Sequence, residues 1–477
     1  MDTAEFRIES DSVGEKQVPI DALYGVQSLR GHENFKITGR TLHEEMIKAL
    51  AQIKKACALS NCNAGVLEKD KCNAIVEACD EIIAGKYHQA FFTDPVQGGA
   101  GTTANMNANE VIANLAELKL GGNLGEYKLV HPNDHVNMGQ STNDVYPTSG
   151  KLGAISLANN LLDELNLLIE ALGKKAEEFD EVIKIGRTQL QDAVPIRLGQ
   201  EFNAYKHALM RDISRINFAL DGLKVINMGA SAIGTGINVD TEYLKTIVPT
   251  LAKITGYDLK QAEDLIDGTQ NLDALVFFHG TIKTLAVTLS KMSNDLRLMS
   301  SGPRTGIGEI NLPPKQNGSS IMPGKINPVI PEVVTQAAFL TIGNDTTVTM
   351  CAEAGQLELN AFEPVLFKSI YESLEALTGA MNTLRVNCIE GITANRERCD
   401  ELLHASVGMV TALVPHIGYK HSASIAKESL KTGVSVKELV MKEGLLTEEE
   451  FNEIMNPMDL TTPGIAAKHL LEEKKNK

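Results

Sequence analysis

Residues 202–220 read Phe202-Asn-Ala-Tyr-Lys-His-Ala-Leu-Met-Arg-Asp-Ile-Ser-Arg-Ile-Asn-Phe-Ala-Leu220. The large apolar side chains of this stretch recur three or four residues apart, at Phe202, Tyr205, Leu209, Ile213, Ile216 and Leu220. This spacing places them on one face of an α-helix. The stretch therefore predicts a helix of about five turns that buries one side along its whole length.

The same pattern occurs elsewhere in the chain. A second apolar stripe runs through Ile155, Ala158, Leu162, Leu165, Ile169 and Leu172. Prolines are rare around these stripes: Pro249 is the only one between Ile196 and Gly302, and Pro364 the only one between Glu332 and Val414. An interior proline breaks or kinks a helix, so these stretches can hold long helices. Further helices are predicted at about 269–300, 328–350 and 362–390. The expected fold is mainly α, with a central bundle of long helices flanked by two smaller domains.

Turn-rich segments suggest the domain boundaries. One such segment, 130–135, precedes the first long helix, and another, 390–395, follows the last. We expect an N-terminal domain at 1–146, the long-helix domain at 147–395 and a small helical C-terminal domain at 396–477. In the last of these, Thr447 and Glu450 have the spacing of a capping box. The 435–455 segment superficially resembles helix-turn-helix, but its acidic run 448–450 would repel phosphate, so we interpret it as a packing element.

Composition excludes several classes of protein. The net charge is −16, no basic block occurs and aromatic residues make up 5%, which argues against nucleic-acid binding. The polar, acidic start lacks a signal or transit pattern, and no apolar run is long enough to span a bilayer, so the expected location is cytoplasmic. The seven cysteines form no CxxC pair, which favours reduced, mostly buried thiols over disulfides or a zinc site.

Four polar, glycine-containing stretches stand out from the helical pattern. They are Gly98-Gly-Ala-Gly-Thr-Thr-Ala-Asn-Met-Asn-Ala-Asn-Glu110, Asn137-Met-Gly-Gln-Ser-Thr-Asn-Asp144, Gly186-Arg-Thr-Gln-Leu-Gln-Asp-Ala-Val-Pro195 and Gly318-Ser-Ser-Ile-Met-Pro-Gly-Lys-Ile-Asn-Pro328. Each combines hydroxyls and amides just before a predicted helix, where free backbone N–H groups and the helix dipole suit carboxylates. Taken singly, each could be a turn or cap. The last is not a phosphate loop, because its glycine spacing is too long and Ile326 replaces the Ser or Thr that binds magnesium.

The 318–328 stretch resembles the signature of the aspartase/fumarase superfamily, GSS-hydrophobic-M-P-x-K-x-N-P. The other three stretches resemble the remaining active-site segments of that superfamily, in the same order, and the similarity covers essentially the whole chain. The flanking 328–334, 342–349 and 353–360 segments are more similar to aspartases than to fumarases. The resemblance implies elimination of ammonia from L-aspartate to give fumarate.

The resemblance also implies an assembly and a cofactor requirement. Four chains would form a core of long helices, with each active site drawn from three subunits of the homotetramer. The substrate is a small dicarboxylate, and no organic cofactor is implied. Activation by a divalent metal occurs in some members, and the sequence has no ligand cluster that would indicate it here.

The same resemblance assigns roles to individual residues. Ser319 is the expected general base. Lys325 and Asn327 are similar to residues that bind the α-carboxylate, whereas Thr102, Ser141, Thr142, Asn143 and Thr188 match positions that hold the β-carboxylate and the amino group. Arg30 is a weaker candidate for closing the site, and a surface ion pair is an equally good reading of it.

Gln189 is the informative departure from the family pattern. Fumarases and many relatives carry histidine there, paired with a glutamate that matches Glu332. Because hydroxide needs a proton to leave whereas ammonium leaves as neutral ammonia, an amide can suffice for deamination. Glu332 is therefore left in doubt as a catalytic partner. His131 resembles part of a second anion site, or is a turn histidine. The alternatives are a class II fumarate hydratase and a non-catalytic structural member of the superfamily.

Overall fold

The computed structural model of the chain describes residues 5–475, and most of them are helical. In chain order, the helices of this part of the chain are α1 (Val26–Asn34), α2 (Glu44–Asn63), α3 (Lys69–Ile83), α4 (Thr102–Lys119), α5 (Thr142–Glu178), α6 (Leu198–Leu223), α7 (Thr241–Thr255), α8 (Leu265–Gln270), α9 (Asp273–Met299), α10 (Val329–Glu353), α11 (Glu363–Asn387), α12 (Arg396–Ala405), α13 (Val414–Ile417), α14 (Tyr419–Thr432), α15 (Val436–Glu443), α16 (Glu448–Ile454) and α17 (Lys468–Lys475). The prediction of a mainly α fold is confirmed.

Strands are short and pair two by two. They are β1 (Phe6–Asp11), β2 (Gly14–Pro19), β3 (Ile183–Thr188), β4 (Gln191–Arg197), β5 (Val225–Ile226), β6 (Lys260–Gln261), β7 (Ile310–Asn311) and β8 (Thr393–Ala394). The pairs β1–β2, β3–β4 and β7–β8 are antiparallel, and β5–β6 is parallel. Of these, the β3–β4 hairpin is the one that carries sequence-predicted site residues.

The predicted long helices are present and bury the expected sides. In α6, Phe202, Leu209 and Ile216 have no exposed surface. The helix predicted from about 269 instead begins at Asp273, because Asn271 has an extended backbone that separates α8 from α9. The helices predicted at 328–350 and 362–390 correspond to α10 and α11.

The structure divides into two compact units. The first holds the chain up to Asp163 together with Asp212–Val287 and Ala337–Gly379, and the second holds Glu164–Arg211, Thr288–Gln336 and the chain from Ala380 onward. The three-domain division inferred from the turn-rich segments stays a prediction.

In the first unit, α2 packs against α3 and α7, and α1 packs against α4. The α1–α4 contact is close: a Cβ on Gly31 would lie 2.1 Å from Cγ2 of Thr103. Only glycine permits this approach, which brings α1 against the first turn of α4. Asp240 caps the start of α7: its carboxylate accepts hydrogen bonds from the backbone N–H groups of Glu242 and Tyr243.

In the second unit, the C-terminal helices share a small core that includes Leu413, Ile425, Val440, Phe451 and Ile454. Thr447 and Glu450 form the predicted capping box at the start of α16. The 435–455 segment contributes its apolar side chains to this core, in agreement with its interpretation as a packing element.

The cysteines agree with the prediction of mostly buried thiols. All seven cysteines are free thiols, and all but Cys62 are buried. Among residues 5–475, no helix combines the length and the apolar character needed to cross a membrane.

Candidate active site

The sequence-predicted site residues fall into two sets, one in each compact unit. The first unit contains Arg30, Thr102, Ser141, Thr142 and Asn143. The second unit contains Thr188, Gln189, Ser319, Lys325 and Asn327.

Thr102 is the first residue of α4 and follows a tight glycine turn. Its side chain is exposed, and its Oγ1 donates a hydrogen bond to the carbonyl oxygen of Gly99 at 2.7 Å. Gly101 lies against the ring face of Tyr146 and has no side chain that could cap the helix. Gln97 Oε1 instead accepts a hydrogen bond from the backbone N–H of Ala104 at 2.9 Å, so a neutral side chain caps the start of α4.

Hydrogen bonds between buried side chains connect α4 to the second polar stretch, residues 137–144. Asn137 Oδ1 accepts hydrogen bonds from Lys54 Nζ at 2.9 Å, Asn105 Nδ2 at 3.2 Å and Asn109 Nδ2 at 3.1 Å. Asn105 Nδ2 also donates to Thr142 Oγ1 at 3.1 Å. One buried network thus fixes the α4 side chains relative to Thr142, as expected of a site whose donors must be preorganised.

Ser141 and Asn143 lie at the start of α5, where a cap and a neighbouring loop fix them. Ser141 Oγ accepts a hydrogen bond from the backbone N–H of Asn143 at 3.2 Å. Asn143 Nδ2 donates to the carbonyl oxygen of Ala232 at 2.7 Å, and Asn227 Nδ2 donates to the carbonyl oxygen of Asn143 at 3.0 Å. The Ser141 hydroxyl hydrogen is not needed for this cap, so it can be donated to a ligand.

Two buried charges accompany this segment. Burial lowers the pKa of Lys54 to about 8, although nearby Cys57 and Asp144 favour its charged form. Burial raises the pKa of Asp144 to about 6, although hydrogen bonds from backbone N–H groups and the charge of Lys54 both act to lower it. Burial thus opposes the charged form of both groups, whereas each of them favours the charged form of the other. Lys54 Nζ also lies 2.8 Å from Oε1 of Gln140, the residue before Ser141. This places a buried ammonium close to the predicted carboxylate-binding segment of a strongly acidic chain.

Arg30 makes an ion pair. Its Nε lies 2.9 Å from Asp11 Oδ2, and its Nη2 donates to the carbonyl oxygen of Gly14 at 2.7 Å. These contacts attach α1 to the β1–β2 turn. Arg30 therefore forms the surface ion pair that was the alternative interpretation of this residue. Its role in closing the site stays a prediction.

The signature stretch 318–328 in the second unit forms an exposed, hydrogen-bonded loop. The N–H of Gly318 donates to the carbonyl oxygen of Lys325 at 2.9 Å, and Asn327 Nδ2 donates to the carbonyl oxygen of Gly318 at 2.5 Å. A Cβ on Gly318 would lie 2.3 Å from the Lys325 oxygen, so the loop can close in this way only around glycine. Lys325 itself is exposed, with its ammonium free to meet a carboxylate.

Ser319 lies at the start of this loop, directly after Gly318, and is half-buried. Its Oγ accepts hydrogen bonds from the backbone N–H groups of Ile321 at 3.2 Å and Met322 at 2.9 Å. Donors aimed at an oxygen favour its anionic form. The loop therefore supplies two features that favour a serine base: backbone N–H donors to the serine oxygen, and a positive charge on Lys325.

Thr188 and Gln189 lie at the exposed tip of the β3–β4 hairpin. Thr188 pairs with Gln191, which leaves Gln189 and Leu190 as a two-residue turn, with φ angles of 54° and 62°. Such a left-handed turn normally carries asparagine or glycine. Two ordinary side chains in this conformation cost about 1 kcal/mol or more each, and strain of this kind is frequent at functional sites.

The hairpin is held at its base by buried charges. Glu309, which has no exposed surface, accepts from Arg187 Nη1 at 2.8 Å and lies 3.1 Å from Lys184 Nζ. Lys184 is also 3.2 Å from Glu201 Oε1. Because breaking such a buried set leaves uncompensated charge, the hairpin is a rigid support for its tip.

Glu332 and His131 have local partners. Glu332 Oε1 lies 3.6 Å from Arg297 Nη2. The His131 ring nitrogen Nδ1 accepts from the backbone N–H groups of Asn133 and Asp134, as in the turn-histidine reading. The ring also borders a cavity of about 490 Å³ together with Arg30, so the second anion site stays a prediction for His131.

Within residues 5–475, no group of three or more His, Cys, Asp or Glu side chains is arranged to hold a metal ion. Metal activation therefore stays open, as the sequence left it.

Sequence reasoning missed two parts of the site. Lys54 and Asp144 were not singled out, although a lysine inside a mostly apolar helix and an aspartate at an amide-rich helix start are a usable signal. The 227–232 segment was also missed, because it belongs to none of the four polar stretches singled out in the sequence.

The two sets have complementary chemical abilities. The first offers neutral hydroxyl and amide donors, which can hold a carboxylate as negative charge develops on it. The second offers a serine oxygen with two backbone donors, an exposed ammonium and the exposed amide of Gln189 at a hairpin tip. Proton abstraction next to a carboxylate is the reaction class that these groups suit.

Comparison with known proteins covers nearly the whole chain. Residues 14–343 match the family model described as Lyase, and residues 409–462 match the one described as Fumarase C C-terminus. Aspartate ammonia-lyase of Bacillus subtilis is 50% identical over 469 residues, which cover 98% of this chain and 99% of that relative. Aspartate ammonia-lyase of Pseudomonas aeruginosa is 52% identical over 463 residues, which cover 96% of this chain and 98% of that relative.

Solved structures show the same relationship. The fumarate lyase:delta crystallin from Brucella melitensis bound to cobalt has a TM-score of 0.94 and 47% identity, covering 96% of this chain and 100% of that chain. A recombinant class II fumarase from Schistosoma mansoni has a TM-score of 0.93 and 36% identity over the same shares. The backbone of this chain is therefore similar to those of a fumarate lyase and a class II fumarase, whereas its sequence is more similar to the two ammonia-lyases than to the fumarase.

Proposed function

We propose a function from the premise that this chain belongs to the aspartase/fumarase superfamily of lyases. It is a carbon–nitrogen lyase that converts L-aspartate reversibly into fumarate and ammonia. One observation carries this conclusion: curated aspartate ammonia-lyases are about half identical to it from end to end, at 50–52% over 96–98% of the chain. The fumarase match at 36% identity gives the hydratase alternative less support.

The difficulty of the reaction lies in the proton at Cβ, which is only weakly acidic. Its removal leaves a carbanion whose charge spreads into the β-carboxylate as an aci-carboxylate intermediate. Donors that are fixed around that carboxylate stabilise this charge, and the loss of one such donor typically costs about 10²–10³ in rate. Neutral donors serve best, because they gain strength as the charge develops.

Ser319 is the proposed base that removes the Cβ proton. Its oxygen already accepts two backbone N–H groups, which support the alkoxide that the step requires. Lys325 and Asn327, in the same loop, are proposed to bind the α-carboxylate. Loop closure around Gly318 would then hold base and substrate together and exclude water.

The first-unit residues are proposed to bind the other end of the substrate. Thr102, Ser141, Thr142 and Asn143 supply the hydroxyl and amide groups for the β-carboxylate and the amino group, together with Thr188. The buried amide network around Asn137 supports this proposal, since it holds these donors in one arrangement. Arg30 is proposed to exchange its contact with Asp11 for one that closes the site.

Gln189 is proposed to lie next to the leaving amine. Ammonia departs without an added proton, so an amide at this position does not limit deamination, whereas water elimination would lack its acid. The pairing of Glu332 with Arg297 supports this view, because the glutamate has a partner other than a catalytic histidine.

We further propose a homotetramer in which three subunits build each active site. Helix α10 supports this, since it exposes Val333, Phe339, Leu340, Ile342 and Met350 in the single chain. Large apolar side chains exposed together on one helix indicate a surface that another chain covers. Phe218 and Phe277, at 71% and 53% exposure, form another uncovered aromatic pair.

The remaining proposals concern cofactors and location. Proton abstraction and amine departure need no organic cofactor, and we propose none, with divalent-metal activation left to measurement. We propose a cytoplasmic enzyme, since seven free thiols suit a reducing compartment.

The test is the ultraviolet absorbance of fumarate when the purified protein is mixed separately with L-aspartate and L-malate. A rise with aspartate alone is expected. A rise with malate alone would mean a hydratase, and silence with both would support a non-catalytic member of the superfamily.

A further inference from the structure

Asp144 is a fully buried carboxylate two residues after the predicted donor Thr142. Its Oδ1 accepts a hydrogen bond from the N–H of Ser141 at 3.0 Å, while Ser141 Oγ accepts from the N–H of Asn143. The Asp144 carboxylate therefore caps the N–H of the residue that precedes α5, while the Ser141 hydroxyl accepts an N–H of the first turn. This contact alone would explain an aspartate at position 144.

The second carboxylate oxygen has a different partner. Oδ2 accepts from the N–H of Gly229 at 3.1 Å and from the N–H of Ser231 at 3.2 Å, 85 and 87 residues further along the chain. Ser231 has a left-handed backbone with φ of 59°, a conformation that an ordinary residue holds only where its surroundings impose it. A helix cap needs no such contact, so capping does not account for Oδ2.

The same loop is tied to the substrate segment by two more hydrogen bonds. Asn143 Nδ2 donates to the Ala232 carbonyl oxygen, and Asn227 Nδ2 donates to the Asn143 carbonyl oxygen. Asn143 and the 227–232 loop are thus joined at the side chain, at the main chain and through Asp144.

We propose that Asp144 is a positioning residue, which locks Ser141 and Asn143 to the 227–232 loop so that their donors face the substrate carboxylate in one fixed geometry. This inference rests on the proposed function, because it assigns substrate contact to Ser141 and Asn143. Asp144 acts through those residues and does not touch the substrate itself.

An ionised carboxylate is the group that this role requires. It has acceptor capacity on both oxygens, so it can receive the Ser141, Gly229 and Ser231 N–H groups at the same time. An asparagine would keep the shape of the side chain, but one of its two acceptors would become an NH₂ group. That group would face N–H donors and could not accept from them, so the hydrogen bonds either to Ser141 or to Gly229 and Ser231 would be lost. A displacement of about 1 Å at a substrate-binding group can cost about 10² in rate.

The test is a double-mutant cycle on fumarate release from L-aspartate, with Asp144→Asn, Asn143→Ala and the double variant. We expect Asp144→Asn to lower kcat/KM about 10²-fold, mainly through kcat. The double variant should be hardly worse than the more damaged single variant, because Asp144 acts through Asn143. If Asp144→Asn keeps wild-type kcat/KM, or if the two losses multiply in the double variant, the inference is overturned.

Asp240→Asn is the matched control. Asp240 is also a capping aspartate in the first unit, and its Oδ1 accepts two backbone N–H groups at the start of α7, but it touches no predicted site residue. Both variants should lower the thermal midpoint, whereas only Asp144→Asn should lower kcat/KM. Equal losses of kcat/KM in the two variants would reduce Asp144 to a structural cap and contradict the proposal.

A second measurement applies even if Asp144→Asn does not fold. Hydrogen exchange in the wild-type protein should show the Gly229 and Ser231 amides protected, and further protected by succinate, a dicarboxylate without a leaving group. Exchange as fast as at the exposed Thr235, with no response to succinate, would overturn the inference. A wild type that forms no fumarate from aspartate would instead contradict the proposed function, so the two failures are distinguishable.

Discussion

Gly318→Ala is the change whose consequence follows most directly from the loop geometry. The added Cβ would lie 2.3 Å from the Lys325 carbonyl oxygen and 2.7 Å from the Asn327 backbone nitrogen. Both neighbours are main-chain atoms, so no side chain can move aside to make room. The loop must therefore open at its base, while the rest of the fold is left as it is.

The magnitude follows from the hydrogen bonds that are lost. Opening removes the Gly318 N–H to Lys325 bond and the Asn327 Nδ2 to Gly318 bond, each worth about 1 kcal/mol net. Together they amount to about 2 kcal/mol, or about 30-fold in the population of the closed loop, since 1.4 kcal/mol is a factor of ten. If only the closed loop places Ser319 and Asn327 correctly, kcat/KM should fall by about the same factor.

Gly324→Ala is the matched control within the same loop. No atom lies within 4 Å of its added Cβ, and only its φ of 79° opposes the side chain. The left-handed conformation costs an alanine about 1 kcal/mol, so kcat/KM should fall only about fivefold.

The assay is the initial rate of fumarate formation from aspartate for wild type and both variants, alongside circular dichroism and oligomeric state. Unchanged kcat/KM in Gly318→Ala, or a larger loss in Gly324→Ala than in Gly318→Ala, would refute the reasoning. A loss of secondary structure in Gly318→Ala would also refute it, because the loop is exposed.

Three further predictions concern specificity, pH and stability. Gln189→His should raise malate formation from fumarate about 10²-fold, the lower end for a general acid; no gain by chromatography would contradict the role given to Gln189. Burial raises the folded-state pKa of Asp144 from 3.8 to about 6, although Lys54 of α2 opposes this shift. The carboxylate therefore takes up a proton as the pH falls through 6, and it then accepts hydrogen bonds less strongly. The pH profile of kcat/KM should therefore show an acid limb near 6 that Asp144→Asn lacks, and an identical limb in the variant would count against this. Thr447→Ala should destabilise α16 by about 1 kcal/mol, seen as faster amide exchange at 448–454 with kcat unchanged; unaltered exchange would show the cap to be dispensable.

The long helices could be predicted because their signal is local. An apolar residue every three or four positions, as at Phe202, Leu209 and Ile216, determines both the helix and its buried side. The capping box at Thr447 was predictable for the same reason, since its partners are three residues apart.

The long-range contacts could not be predicted in this way. Nothing near Asp144 indicates that its second oxygen binds backbone groups at Gly229 and Ser231, because that contact depends on the packing of α5 against a distant loop. The left-handed backbone of Gln189 and Leu190 was likewise hidden, since neither residue favours it. The roles of Ser319 and Lys325 come from the family motif, and the structure adds the loop contacts that support them.

The most direct test of the central claim measures fumarate and ammonium together in one reaction with L-aspartate, for wild type and Ser319→Ala. Wild type should release the two products in equal amounts. Ser319→Ala should slow both by about 10³-fold, the contribution of a positioned base, with its oligomeric state unchanged, because Ser319 Oγ accepts only local N–H groups in an exposed loop. Fumarate without ammonium, or an undiminished rate in Ser319→Ala, would contradict the account.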